Sequence, residues 1–193
     1  MARRNQEFHP DAQNRDVLGK LLLTQKQRKR LLKWLLFTAV CLLGLLVQDV
    51  LMSRVDILGA TTDLTACCIL AVCILQGAHS GSIFALCAAA VFYFSGSAPG
   101  PYCILLLTAI GIFAAMFRQT FLSQGFFTLF LCVGGGMLLY EMAVFAIGLF
   151  LGHTTWARMG VFILTAVLSL VVVPLVYPVF VSIGKIGGEL WKE

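Results

Sequence analysis

Charged side chains are scarce in this chain. They make up 12% of its 193 residues, whereas soluble domains average about 25%. Hydrophobic residues make up 60%, which is more apolar surface than one soluble core of this size can bury. The composition therefore predicts an integral membrane protein, because a bilayer accepts apolar surface without enclosing it.

Motifs for catalysis and metal binding are lacking as well. The chain has three histidines and no Cys-x-x-Cys, GxSxG, phosphate loop or HExxH. We therefore expect no catalytic residue, no metal site, no cofactor and no enzymatic activity. All seven cysteines lie in apolar runs, where cysteine acts as a small apolar residue, so we expect free thiols. They are Cys41, Cys67, Cys68, Cys73, Cys87, Cys103 and Cys132.

The positive charge that is present concentrates at the N-terminus. Nine of the 14 Lys and Arg residues lie in the first 33 positions, and the formal net charge is +5. Only Arg54, Arg118 and Arg158 separate that region from Lys185. Basic residues just before a first span keep that end of the span on the cytoplasmic side of the membrane, and they can contact anionic lipid headgroups. The charge therefore indicates membrane orientation, and nucleic-acid binding is not expected.

Apolar runs and turn signals predict an all-α protein with six transmembrane helices. Residues 1–33 are expected to be a mostly flexible cytoplasmic tail, 34–183 the transmembrane domain, and 184–193 a short cytoplasmic C-terminus. Six spans put twelve Lys and Arg on the cytoplasmic side and two outside, whereas five spans would give ten and four. The predicted spans are 34–52, 62–76, 80–95, 102–117, 121–151 and 161–183.

Glycine and proline shape two of these predictions. One helix over residues 64–94 would reach about 46 Å, which exceeds a bilayer. We therefore predict two short helices joined by a tight cytoplasmic turn containing Gly77 and Gly81, with a single kinked helix as the alternative. Pro174 and Pro178 predict a bend in the last span.

Four polar residues near or within the spans are candidate functional residues. Glu141 lies midway along the fifth span, where a carboxylate costs several kcal/mol unless it is paired or protonated. It is either a binding or proton-relay residue or a protonated structural contact. Gln48, Asp49 and Asp63 fall near the outer ends of spans, where they either cap helices or contact a partner protein.

Several short motifs resemble those of the bacterial rod shape-determining MreD family over about residues 35–183. They are Gln48, Thr62-Asp63-Leu64, the turn from Gly77 to Gly81, Ser95-Gly96 with Pro99-Gly100, and Pro174 with Pro178. The resemblance implies a non-enzymatic scaffold subunit of the cell-elongation machinery in the bacterial cytoplasmic membrane. Its implied partners are an MreC-like bitopic protein, the RodA glycosyltransferase and a penicillin-binding transpeptidase, which build peptidoglycan and maintain cell shape.

The same resemblance supplies an alternative function. MreD is similar in helix arrangement to the S components of energy-coupling factor transporters, so an S-component-like bundle is implied. The alternative is therefore a vitamin-binding transporter subunit. S components carry an Ala-x-x-x-Ala motif on the first span, and residues 36–44 lack it. The sequence favours the scaffold, with Gln48, Asp49 and Asp63 as its partner contacts.

Overall fold

The computed structural model describes residues 25–50, 59–121 and 125–186. Within these ranges the chain is helical and has no β-strands, which confirms the all-α prediction. The tail up to residue 24, Arg54, Asp56 and the segment from 187 lie outside the described residues. The helices are α1 (Gln25–Val50), α2 (Leu64–Gln76), α3 (Ala78–Phe94), α4 (Tyr102–Phe121), α5 (Phe126–Phe150), α6 (Met159–Leu170) and α7 (Val173–Ile186), with a 3₁₀ turn at Trp156–Arg158.

Three of the described helices, α1, α4 and α5, are long and apolar enough to cross a membrane. A fourth crossing results if the 3₁₀ turn, α6 and α7 count as one span, bent by 46°. Large apolar side chains cover the outward surface, including Leu43, Leu105, Phe127 and Phe150. Such a surface is compatible with a membrane protein, since lipid is the medium in which it is stable.

Helix α2 is the centre of the bundle. Every residue from Thr65 to Gln76 is buried, and α2 contacts each of the other described helices. A helix that is apolar on all sides must be surrounded, and the α2 sequence has only two polar residues, Thr65 and Gln76. Its 13 residues extend about 20 Å, so α2 is shorter than the hydrocarbon core, but neighbouring helices shield it.

The chain reverses direction between α2 and α3. Gly77 alone separates the two helices, with a φ of +82° that favours glycine. A Cβ atom at Gly81 would overlap the carbonyl oxygen of Cys73. Residues eight apart in one straight helix are about 12 Å apart along its axis, so this contact requires a hairpin. The predicted pair of helices is confirmed, and the alternative of one kinked helix is wrong.

Helix α1 begins nine residues before the predicted span. Residues 25–33, assigned to the flexible tail, are helical. The reason is local, because Lys, Arg, Gln and Leu are all good helix formers. Lys33 is also packed into the bundle, with 5% of its surface exposed.

Helix α4 extends beyond its predicted end at residue 117. It continues to Phe121, and α5 begins at Phe126 rather than at 121. Arg118 was expected to close the span, but it is buried at 4% exposure. The rings of Phe117 and Phe121 lie 5.1 Å apart, one turn from each other, and extend the apolar face of the helix.

The predicted bend in the last apolar segment occurs just before Pro174. Helix α6 ends at Leu170, and α7 starts at Val173 with Pro174 in its first turn. Proline has no backbone N–H and disfavours a helical conformation at the residue before it, so it fits a helix start better than an interior. Pro178 lies inside α7, where the Ser182 hydroxyl donates to its carbonyl at 2.7 Å.

Candidate functional site

The short central helix leaves a cavity at one end of the bundle. Helix α2 begins beside residues that lie deep in its neighbours. Ser169 lies ten residues after the start of α6, and Glu141 lies nine residues before the end of α5. At 1.5 Å per residue, each of them is about 14–15 Å from that end of its helix. The space beyond the start of α2 is enclosed by α5, α6 and the connection between α3 and α4. We call it the polar cavity.

Asp63 and Gln48 satisfy the first backbone amides of α2. The Asp63 carboxylate accepts from the Ala66 N–H at 3.3 Å and caps the helix. The Gln48 side-chain oxygen accepts from the Thr65 N–H at 2.7 Å, which joins α1 to α2. The first backbone N–H groups of a helix have no acceptor within the helix. Because α2 starts inside an apolar bundle, Asp63 and Gln48 must supply those acceptors.

Ser169 fixes the backbone before α2 from the opposite side. The Asp63 backbone N–H donates to the Ser169 hydroxyl oxygen at 2.8 Å. That hydroxyl donates in turn to the Thr165 carbonyl at 2.8 Å. Ser169 is fully buried, so this chain of hydrogen bonds links α6 to the start of α2 without contact with water.

Asp49 belongs to a more exposed polar group, which adjoins the polar cavity at the lining residue Ser97. The Ser97 hydroxyl donates to the Asp49 carboxylate and so connects the end of α1 to the loop between α3 and α4. Ser95 lies 3.1 Å from Ser97, oxygen to oxygen, and donates to the Phe92 carbonyl at 2.7 Å. The neighbouring Phe94 is 83% exposed. This exposed group, Asp49, Ser95 and Ser97 with Phe94, is the outer patch.

Glu141 faces the polar cavity, which has a volume of about 360 Å³. Only 5% of its surface is exposed, and the structure shows no hydrogen bond or ion pair from it to a described residue. Asp63 is its charged neighbour in the cavity wall. The Thr154 hydroxyl is likewise buried without a partner among the described residues. Arg158, an exposed residue, also lines the cavity.

Tyr140 makes the wall beside Glu141 rigid. Its ring is almost completely buried, and its hydroxyl contacts the Cys103 sulfur at 3.4 Å, linking α5 to α4. Glu141 therefore projects from a backbone that the packed Tyr140 side chain anchors. A preformed wall of this kind is typical of ligand pockets.

The structure brings together three of the four candidate residues from the sequence. Gln48, Asp63 and Glu141 line the polar cavity, whereas Asp49 belongs to the outer patch. Sequence reasoning missed Ser97 and Ser169. A signal for Ser169 was present, because Thr165 and Ser169 are four residues apart and share one face of a helix.

The described residues offer hydrogen-bonding groups rather than grouped metal ligands. All seven cysteines are free thiols, and Cys87 alone among them is exposed. Within the described ranges no three His, Cys, Asp or Glu residues are grouped as metal ligands. Two carboxyl groups and several hydroxyls can instead hold a hydrogen-bond donor or a cation.

Comparisons with protein-family models, with curated proteins and with solved structures give no match to this chain.

Proposed function

We propose that this protein is a non-enzymatic membrane subunit of the bacterial cell-elongation machinery. It acts through contacts with an MreC-like bitopic protein and the peptidoglycan synthases. The observation that supports this proposal most is the position of the MreD-like motif residues. Gln48 and Asp63 satisfy the start of α2, and Gly81 permits the hairpin. The motifs behind the resemblance therefore occupy positions where this fold requires those residue types.

In this proposal the chain crosses the bacterial cytoplasmic membrane six times. Helices α2 and α3 each cross as short helices shielded by neighbours, and α6 with α7 forms one broken span. Both termini are cytoplasmic, which puts the polar cavity and the outer patch on the outside. The support is the distribution of charge, because basic residues crowd the start of α1 and Lys185 ends α7.

The outer patch is the proposed partner contact. Gln48 and Asp63 are engaged within the chain, so they hold the site together rather than meet a partner. Asp49 is exposed and is held by Ser97, three residues after the exposed Phe94. An exposed carboxylate and an exposed aromatic ring in one patch suit an interface in which the ring supplies area and the charge supplies orientation.

Affinity purification of the full chain from native membranes in mild detergent, followed by mass spectrometry, tests this function. We expect an MreC-like bitopic protein together with RodA and a transpeptidase. Recovery of an ATPase pair and a coupling subunit instead contradicts the proposal and supports the transporter alternative.

A matched pair of variants locates the contact. Asp49→Ala is expected to lower partner recovery, because it removes the exposed carboxylate that Ser97 holds. Thr120→Ala is the control, since Thr120 is an exposed residue in the last turn of α4, at the opposite end of the bundle. Equal partner recovery with both variants would remove the outer patch from the proposal.

The polar cavity favours the S component of an energy-coupling factor transporter as the second candidate function. Its volume of about 360 Å³ lies in the roughly 300–1,000 Å³ range of small-molecule pockets. In this alternative the substrate occupies the cavity, and the partners are the transporter subunits named above.

A further inference from the structure

The polar cavity has the features of a binding site that the scaffold function leaves unused. Glu141 is the least exposed of its described charged residues, more than nine-tenths buried and without a hydrogen-bond or ion-pair partner among the described residues. A buried carboxylate without a partner is costly. Gln48 and Asp63 have structural roles at the start of α2, and Glu141 has none that the described contacts reveal.

The charges around the cavity indicate what kind of ligand would relieve that cost. Asp63 places a second carboxyl group in the wall near Glu141, and among the described lining residues the one basic side chain, Arg158, is exposed. The interior is therefore acidic and its basic group is accessible to solvent. A positively charged donor can pair with Glu141, and charge-assisted hydrogen bonds of this type are stronger than neutral ones.

We propose that the polar cavity binds a small molecule carrying a protonated amine, with Glu141 as its ion-pair partner and Asp63 as a second acceptor. The unpartnered Thr154 hydroxyl supplies a further hydrogen bond from the wall. An ammonium group suits this lining, because its three N–H donors match two carboxyl groups and a hydroxyl oxygen as acceptors. The proposal stands on the cavity alone and holds for either candidate function.

Calorimetric titration of the full chain in lipid nanodiscs tests the proposal with three probes of similar length. They are 5-amino-1-pentanol, the uncharged 1,5-pentanediol and the anionic glutarate. We expect saturable binding of the amine, with an affinity at least tenfold higher than that of the diol, and no binding of glutarate. This comparison uses the unaltered chain and needs no variant to fold.

Two substitutions assign the binding to the proposed groups. Glu141→Gln keeps the shape of the side chain and is expected to weaken amine binding at least tenfold. Thr120→Ala is the control, because Thr120 lies in the last turn of α4, at the opposite end of the bundle, and should leave amine affinity unchanged. Asp63→Asn retains a helix-capping side chain and is expected to weaken the amine by a smaller factor than Glu141→Gln.

Several results would overturn the proposal. Equal binding of amine and diol would show that the cavity takes neutral molecules, and stronger binding of glutarate would assign the site to Arg158. Saturable amine binding that Glu141→Gln leaves intact, or no amine binding by the folded chain at millimolar concentration, would each refute it. Partner recovery from native membranes is a separate readout, so failure here is distinguishable from failure of the proposed function.

Discussion

Replacing Gly81 by alanine tests the α2–α3 hairpin at its closest contact. The new Cβ atom would meet the carbonyl oxygen, the Cα and the carbonyl carbon of Cys73. All three are backbone atoms, so no side chain can rotate away and the two helices must move apart. One arm of the hairpin is the central helix α2, so a shift there disturbs packing on several sides.

The magnitude follows from two opposing terms. Alanine is favoured over glycine in a helix interior by about 0.8–1.0 kcal/mol, and overpacking a well-packed core costs about 1–3 kcal/mol. Gly135 provides the control, because it lies within α5 and a Cβ there has nothing within 4 Å. Gly135→Ala should therefore stabilise the protein, and Gly81→Ala should be about 1–3 kcal/mol less stable than this control.

Unfolding by increasing mole fractions of dodecyl sulfate in mixed micelles, followed by circular dichroism, measures the difference. Both variants remove one glycine from a helix, so effects on the unfolded chain are matched. If Gly81→Ala is as stable as Gly135→Ala, the close contact between α2 and α3 does not exist, and the reasoning for a hairpin fails.

Two further predictions concern side chains inside the bundle. Ser169→Ala should lower the free energy of unfolding by about 1–3 kcal/mol, because the Asp63 amide loses its buried acceptor. Ser182 is exposed, so Ser182→Ala should change the free energy of unfolding far less. Equal effects of the two variants in the same assay would refute the proposed role of Ser169. N-ethylmaleimide should leave the native protein in lipid unlabelled, because six cysteines are buried and Cys87, midway along α3, faces lipid in the proposed six-span arrangement, where the reactive thiolate does not form. It should label all seven cysteines after denaturation; intact-mass spectrometry counts the labels, and several labels on the native chain would contradict these positions.

Much of the fold could be predicted from composition and turn residues. The loop over residues 95–101 has two glycines and two prolines, and α3 and α4 end and begin at its two sides as expected. The hairpin was predictable because residues 76–81 interrupt an apolar run too long for one span. These are local signals, and they do not depend on what the helices pack against.

Helix ends were predicted less well where packing decides them. Lys33 and Arg118 were expected at the surface because they are charged, but both are buried. Long basic side chains carry apolar stems that pack along neighbouring helices, so charge alone made both helices too short: the start of α1 was placed too late and the end of α4 too early. Hydropathy cannot supply that information, because it depends on which helices lie nearby.

In the candidate site, too, the sequence identifies individual residues, but only the packed fold shows how they are arranged. Glu141, Asp63 and Gln48 were identifiable because polar residues are conspicuous in apolar runs. Their convergence on one cavity depends on α2 starting deep in the bundle, which is a property of the packed fold. Ser97 was not identifiable, since a serine in a loop gives no sign that it holds a carboxylate 48 positions away.

Site-specific photocrosslinking in living cells tests the proposed partnership most directly. A photoreactive phenylalanine derivative at position 94, in the outer patch, keeps an exposed aromatic ring there and leaves the Ser97–Asp49 hydrogen bond in place. It should crosslink to an MreC-like bitopic protein, and the same amino acid at position 120 should not. Crosslinks from position 94 to subunits of an ATP-driven transporter, or the same crosslinks from both positions, would contradict the account.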